Sequence, residues 1–545
     1  MTDVSEGRWI RRLELGILAV GIGARAVRFL EQRPLWIDEV LMALNVLPNG
    51  PPDFLQPLEL SQISPVGFLI GEWLVTRAAG AGEQALRFLP FVASIAALIA
   101  FNRLARRTLE PATALLATAL AALSPLLIYY AGEIKSYTFD WLGAVLLMHA
   151  TLSLAEDRNP RAWMRWSGIA GFGALMSTAA PFFVAGCALA LLAVPAIRAP
   201  RTLIRLVVAT APAALLFAVQ YFTTYSSDFT RVAMESYWKG QFLDAQLPHA
   251  LAQAAQLART FVVDVVFGDR VAESMPRKSM TIVVLLSAIG AVVLTRRSPQ
   301  VAAIVLAPAV LAVTAALMHR WPLTSRLLLF LVPALAMALA SGLAALTQLL
   351  PSRARGVAFA ALSSLVLVGA AVGVRWEWNE NNLVIALPDA LRSVRQNSDA
   401  NATVYFSSDL VPACTYYLGW HPDRVEMGGG ERKGGRAADL GPGAGVVTTN
   451  CAVHGATTIT GTWPLFVRRS PGAPRETPVP IQSEWLEAEG GRILAGTGNE
   501  LWLLLGHSRQ LHESLPAWLE AHGLRQTSRQ QRRTLLVLQY LKGPS

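Results

Sequence analysis

Apolar runs approaching the length of a bilayer recur along the chain up to about residue 378, and clusters of arginine close many of them. Roughly 20 apolar residues span the hydrocarbon core of a membrane. Inside it, every backbone N–H and C=O has to be satisfied by the segment itself. Such a chain is expected to fold as a bundle of membrane helices. The bulk properties agree, with 53% hydrophobic and 15% charged residues among 545 and a mean hydropathy of +0.40. In a soluble protein the formal net charge of +10 would suit nucleic acid or anionic lipid. Here the arginines sit where cytoplasmic loops collect Lys and Arg, so no nucleic-acid partner is expected, only membrane lipid.

The first run, 13–30, lacks a small-residue cleavage site before Glu31. It reads as a retained span rather than a signal peptide. Its basic lead, Arg8, Arg11 and Arg12, places the N-terminus in the cytoplasm. An outer loop, 31–83, follows, and prolines within it, among them Pro48, Pro51, Pro52, Pro57 and Pro65, exclude one continuous helix. The short apolar stretch 65–79 carries Glu72 and is expected to lie on, or dip into, the outer surface. Spans are then expected at 86–104, 112–130 and 139–154, followed by two runs flanking Pro181 and one ending at Phe222. A second outer segment, 223–278, precedes four more runs, which end near Arg297, His319, Arg353 and Trp378. The parity of the basic clusters gives about eleven spans.

From residue 379 the composition becomes that of a soluble domain. Helices are expected at 388–395 and 511–522, and strands at 403–406, 500–505 and 534–540, with a Gly-rich loop at 428–445. The architecture is therefore mainly α: a transmembrane domain over 1–378 and an outer α/β domain over 379–545. Three cysteines are too few for a disulfide framework. Cys187 lies in an apolar run, whereas Cys414 and Cys451 are able to pair in an oxidising compartment.

Pro34-Leu35-Trp36-Ile37-Asp38-Glu39 sits just beyond the first span. Carboxylates beside hydrocarbon are costly and tend to be kept for function. Asp38 is the leading candidate for a general base, with Glu39 beside it as a second catalytic candidate. The alternative is an Asp capping a juxtamembrane helix. In the next outer turn, Tyr129, Tyr130, Glu133, Lys135 and Tyr137 offer a lysine for a phosphate and hydroxyls for a sugar, or else an interfacial aromatic belt. His319, Arg320 and Arg326 offer cations to a phosphate leaving group or to lipid headgroups. Asp228, Arg231, Glu235, Tyr237 and Trp238 read best as a solvated face. No P-loop, dinucleotide fingerprint, zinc signature or nucleophile elbow is present.

Together these pieces resemble the polyprenyl-phosphate-sugar-dependent membrane glycosyltransferases of the C-type fold. The nearest branch is the Rgt-like group of glycosyltransferase family 39, related to protein O-mannosyltransferases and aminoarabinose transferases. The resemblance rests on Trp36-Ile37-Asp38-Glu39, Ser64-Pro65, Gln84-Ala85-Leu86-Arg87-Phe88-Leu89-Pro90 and Ser124-Pro125. Tyr129-Tyr130 with Glu133, Lys135 and Tyr137, and Arg326-Leu327-Leu328-Leu329 with Pro333, complete it. Val66 departs from the family's second proline, so sugar and acceptor do not carry over. The resemblance implies an inverting transfer from a polyprenyl-phosphate-linked sugar to a glycan, lipid or protein acceptor. Asp38 would be the base; Lys135, Arg326 and Arg87 would steady the departing phosphate; Glu133 would orient Lys135 or the acceptor. No cofactor is required, although carboxylates from two loops leave room for a divalent metal. The setting it fits is a bacterial inner membrane.

The competing class is a transporter or lipid flippase, which would place its charges at mid-membrane in broken helices. A non-catalytic homologue is a third reading. The charges here gather at outer ends of spans and in outer loops, which favours surface chemistry.

Overall fold

A computed structural model describes residues 2–47, 53–60, 62–226, 237–244, 246–379, 387–399, 401–420, 457–460, 483–506, 509–532 and 535–542. The chain opens with α1 (Thr2–Leu30), α2 (Ile37–Val46), α3 (Val66–Ala79) and α4 (Glu83–Thr108). α4 carries Glu83 in its first turn and Arg106 and Arg107 in its last. That polarity complements the helix dipole.

The run expected as one span at 112–130 is broken into α5 (Pro111–Ala122) and α6 (Pro125–Tyr130). Pro125 has no N–H to continue α5, and its ring suits the first position of a new helix. The carbonyls orphaned by the break find a partner in Arg25 of α1. Its buried guanidinium donates to Ala121 O at 3.1 Å, Ala122 O at 2.9 Å and Ser94 Oγ at 2.8 Å. An arginine in mid-helix is thus spent on stitching three helices together.

The membrane part continues with α7 (Tyr137–Glu156), α8 (Pro160–Met176), α9 (Ala180–Leu191) and α10 (Pro200–Gln220), which runs on as a π-turn, Tyr221–Tyr225. Helices Leu247–Phe267, Arg277–Arg297, Pro299–Leu317, Val332–Thr347 and Ser352–Asn379 follow. Among the described residues, eight helices are long and apolar enough to cross a membrane. The protein is multi-pass. α5 and α9 are apolar but shorter.

Leu247–Phe267 falls inside the segment expected as an outer loop, and it has the length and composition of a span. Its surroundings explain its place. Just before it, Leu243 N–H donates to Ala316 O at 3.3 Å, and near its end Asp264 accepts from Ser325 Oγ at 2.5 Å. Residues 316 and 325 flank one short connection between helices. Both ends of Leu247–Phe267 are therefore tied to the same side of the bundle.

Elsewhere the helices come very close. A Cβ on Gly290 would lie 1.7 Å from Ala338 O, and one on Gly342 would lie 1.9 Å from Leu286 O. Helices Arg277–Arg297 and Val332–Thr347 touch backbone to backbone, as small residues permit in lipid.

A long apolar helix ends at Asn379, and among the described residues a five-stranded mixed sheet follows in the order β2-β1-β3-β5-β4. Its strands are β1 (Thr403–Phe406), β2 (Thr457–Thr460), β3 (Glu500–Leu505), β4 (Leu524–Arg532) and β5 (Leu535–Lys542). β2, β1 and β3 are parallel, while β5 and β4 run antiparallel to their neighbours. All six residues of β3 are buried, which accounts for its unbroken apolar run. β4 and β2 escape sequence reading because they are largely polar. Helices Leu387–Asn397, Ser483–Gly496 and Arg509–Ala521 complete the tail. Cys187 is buried and free; Cys414 is disulfide-bonded. Cys451 and the Gly-rich loop 428–445 lie outside the described residues.

The tail is not tethered by its linker alone. Segment Val411–Cys414, continued by Thr415–Trp420, reaches the stretch between α1 and α4. Tyr417 Oη accepts from Leu35 N–H at 2.7 Å, and Tyr416 Oη donates to Ala81 O at 2.7 Å. Asp38 and the tail accordingly share one face of the molecule.

Candidate active site

Successive residues of a helix point about 100° apart, and that separates the two neighbouring carboxylates of α2. Glu39 is fully buried, whereas the Asp38 side chain is 24% exposed. Glu39 closes the first turn by accepting from its own N-cap residue, Trp36 N–H, at 3.2 Å. It also accepts from Arg87 at 2.8 and 2.7 Å and from Ile134 N–H at 3.3 Å. Arg87 donates further to Arg33 O at 2.9 Å and Pro34 O at 3.4 Å. Arg33 reaches Glu39 at 3.5 Å and pairs with Glu133, which also accepts from the Trp36 indole N–H.

Two guanidiniums and two carboxylates thus form a closed, buried frame beneath Asp38. Burial by itself would push the Glu39 carboxyl up, but Arg87 and Arg33 outweigh it and hold Glu39 below its ordinary value. Glu133 goes the other way. Burial pushes it up, Arg33 offsets only part of this, and the Glu39 charge adds to the rise.

This frame holds three of the residues singled out in the sequence. Glu39 is not an open carboxylate poised for a substrate proton. Arg87 is buried, and its N–H groups are donated to Glu39 and to two carbonyls. Glu133 is buried against Arg33 and Trp36 rather than presented to a substrate. Arg33 and Trp36 were not singled out as partners from the sequence. The signal was present, since two buried carboxylates call for two cations.

Asp38 faces the other way. Its Oδ2 lies 3.2 Å from Arg326, whose other terminal nitrogen donates to Tyr237 Oη at 3.3 Å. The Arg326 guanidinium sits 4.6 Å from the Trp238 ring centroid and 5.8 Å from that of Tyr237. Aromatic faces attract such a cation. Arg326 is placed by a 3-10 turn, Ser325–Leu331, anchored through Ser325 to Asp264. Tyr237 and Trp238, which read as a solvated face, therefore line the site. Asp228, Arg231 and Glu235 lie outside the described residues.

Lys135 Nζ donates to Gln62 Oε1 at 2.9 Å. Burial lowers the Lys135 pKa, with Asp38 pulling it back. Tyr129, Tyr130 and Tyr137 pack edge to face at 5.1 and 5.0 Å. Burial raises the Tyr130 hydroxyl, with Arg326 opposing and Asp38 adding to the rise, so this aromatic row shares the field of the site. Tyr129 lies under Arg28, 5.0 Å from its guanidinium. His319 stands apart. Its backbone turns left-handed at φ 55, and its ring stacks on Phe242 at 5.3 Å. Arg320 is exposed beside it. Among the described residues, no contact joins either to Asp38, and no three His, Cys, Asp or Glu side chains gather as metal ligands.

The class defined by fold and site is a multi-pass membrane protein with an acid–arginine pair at one face, the face that its C-terminal segment also contacts. Residues 64–222 match the family model described as dolichyl-phosphate-mannose-protein mannosyltransferase. The matched stretch holds the Ser64-Pro65, Arg87 and Tyr129–Tyr137 elements on which the family resemblance rests, and stops short of Asp38 and Arg326. No curated protein matches the chain. Among solved structures, the chain is similar to the Archaeoglobus fulgidus oligosaccharyltransferase in its apo form, at 13% identity and TM-score 0.46. That match covers 74% of this chain and 63% of the other, so the chain spans less than two thirds of that protein. It is also similar to ArnT from Cupriavidus metallidurans in the apo state, at 11% identity and TM-score 0.46, covering 99% and 100% of the two chains. The undecaprenyl phosphate-bound form of that ArnT matches at 12% identity and TM-score 0.45, covering 98% and 99%.

Proposed function

We propose that the chain is an integral membrane glycosyltransferase that moves a sugar from a polyprenyl-phosphate donor to a lipid, glycan or protein acceptor, with inversion. The observation that carries this reading is the Asp38–Arg326 pair, partly exposed above a frame in which Glu39 and Glu133 are locked. The family match over 64–222 supports a lipid-phosphate sugar donor.

In this reading Arg326 exchanges Asp38 for the donor phosphate, to which a planar guanidinium is suited. Asp38, released, accepts the proton of the acceptor hydroxyl or amine. The acceptor then bonds to the anomeric carbon from the face opposite the phosphate. The bond to the phosphate oxygen breaks, and its electron pair leaves with the phosphate beside Arg326 and Lys135. Tyr130, Tyr137, Tyr237 and Trp238 would border the sugar. Glu39, Arg87, Arg33 and Glu133 hold the loop in place.

We place the site and the tail outside the cytoplasm, with the N-terminus inside, in a bacterial inner membrane. The bond between Leu35 and Tyr417, which puts site and tail on one face, supports this, as do the basic ends at Arg106, Arg107, Arg296 and Arg297.

The test is transfer of radiolabelled sugar from polyprenyl-phosphate-sugars to envelope acceptors, comparing wild type with Asp38→Asn at matched expression. A positioned base contributes roughly 10²–10⁴-fold, and a loss of that order is expected with donor binding retained. Unchanged transfer would remove Asp38 from the role of base. Movement of labelled lipid between leaflets without any transfer would install the transporter reading instead.

A further inference from the structure

The extended residues that lead into α2 have their backbone groups held from three directions. Arg87 of α4 takes the carbonyls of Arg33 and Pro34, and Glu39 takes Trp36 N–H. Proline has no N–H to satisfy. The remaining donor in this stretch is Leu35 N–H, and its partner comes from far away in sequence. Tyr417 Oη accepts it at 2.7 Å, and the same hydroxyl lies 3.5 Å from Glu83 Oε1 at the start of α4. Both Leu35 and Tyr417 are fully buried. Asp38 follows Leu35 by three residues, within the first turn of α2.

We infer that Tyr417 is a positioning residue through which the C-terminal domain holds the Asp38 loop in its working place. This deepens the transferase reading and rests on Asp38 being its base. The chemistry at this point requires a hydroxyl, because it must accept from an amide while facing a carboxylate. A phenyl ring fills the same volume but leaves a buried N–H without a partner. The neighbouring Tyr416 acts elsewhere, since its hydroxyl donates to Ala81 O, ahead of α4. Both hydroxyls bond within 31–83, and segment 411–420 also packs against α2, but of the two hydroxyls only that of Tyr417 bonds to the residues leading directly into α2. A small displacement of a catalytic group costs rate rather than substrate affinity, so the strut should be visible in kcat.

The experiment compares full-length wild type, Tyr417→Phe and Tyr405→Phe in detergent or nanodiscs. Tyr405 donates to Glu489 at 2.9 Å within the tail alone, so Tyr405→Phe controls for a general loosening of that domain. Hydrogen exchange over residues 33–46 is measured together with donor KM and kcat. The expected result is faster exchange of that stretch and a kcat roughly 10- to 100-fold lower in Tyr417→Phe. Donor KM should stay within about twofold, and Tyr405→Phe should leave both exchange and kcat alone. In an Asp38→Asn background, Tyr417→Phe should add no further loss, since the group it positions is gone.

Unchanged exchange in Tyr417→Phe overturns the proposal. So does faster exchange with unaltered kcat, equal loosening in Tyr405→Phe, or a full additional loss on top of Asp38→Asn. If Asp38→Asn alone retains full transfer, the base reading fails separately. If no donor supports turnover at all, exchange decides: loosening of 33–46 confined to Tyr417→Phe supports the strut, and its absence overturns it.

Discussion

Asp38 and Glu39 are chemically near-identical and adjacent, yet they have opposite fates. Glu39 turns inward and is saturated by Arg87, Arg33, Trp36 and Ile134; Asp38 turns outward to a single arginine that has aromatic company. The difference is helical phase and nothing in the side chains themselves. Removing the Glu39 charge leaves two buried guanidiniums with one carboxylate between them. Breaking one partner of a buried ion pair costs about 3–5 kcal/mol. Glu39→Gln should therefore lower thermal stability steeply and reduce the yield of folded protein, as read by melting temperature in detergent. Asp38→Asn removes one partly exposed ion pair with Arg326 and should cost no more than about 1 kcal/mol, a much smaller fall in melting temperature. Two similar profiles would mean that the frame is not what holds the loop.

At the scale of elements, the site is assembled by breaks in helices. Pro125 ends one helix and starts another, and Pro65 starts α3. The turn Ser325–Leu331 holds Arg326 in place. These irregular pieces gather where the long helices end, while the long helices pack closely beneath them. The closest approach is the one at Gly290 and Gly342, where an added Cβ would meet a carbonyl oxygen at 1.7 or 1.9 Å. Backbone cannot yield to that extent as a flexible side chain would. Gly342→Leu should force helices Arg277–Arg297 and Val332–Thr347 apart. That should displace the Arg326 turn, which leads directly into the second helix, and abolish both monodisperse elution and transfer. A well-folded Gly342→Leu protein with full transfer would show that this crossing does not support the site.

For the whole molecule, the buried frame links stability to pH. The Glu39 carboxyl is held below its ordinary value of 4.5, so its contribution is present above that pH and is lost as pH falls through the lowered folded value. Glu133 has the opposite sign. Its folded value is raised above 4.5, so its contribution is full below that pH and is lost as pH rises through the raised value. The Glu39 component is isolated by comparing melting temperatures of wild type and Glu39→Gln across acid pH. The gap between them should narrow as pH drops below 4.5, and a gap that stays constant would mean that Glu39 is not held by its arginines.

The apolar period and the arginine clusters determined by themselves that this is a multi-pass helical protein, because backbone in hydrocarbon has no alternative to the helix. Local signals also placed the helix at 66–79, three of the five tail strands and the Asp38 and Arg326 motifs, since each is written in a few consecutive residues. Tertiary structure alone decided which carboxylate faces out, that Arg87 and Glu133 belong to a buried frame, and that Tyr237 and Trp238 flank Arg326. It also decided that both ends of Leu247–Phe267 stay on one side, and that Tyr417 reaches Leu35 across 382 positions of sequence. The physical reason is common to all of these. A hydrogen bond or ion pair between distant segments is fixed by where the packed helices bring them. Composition and spacing carry only what a residue is able to do, and not whom it meets.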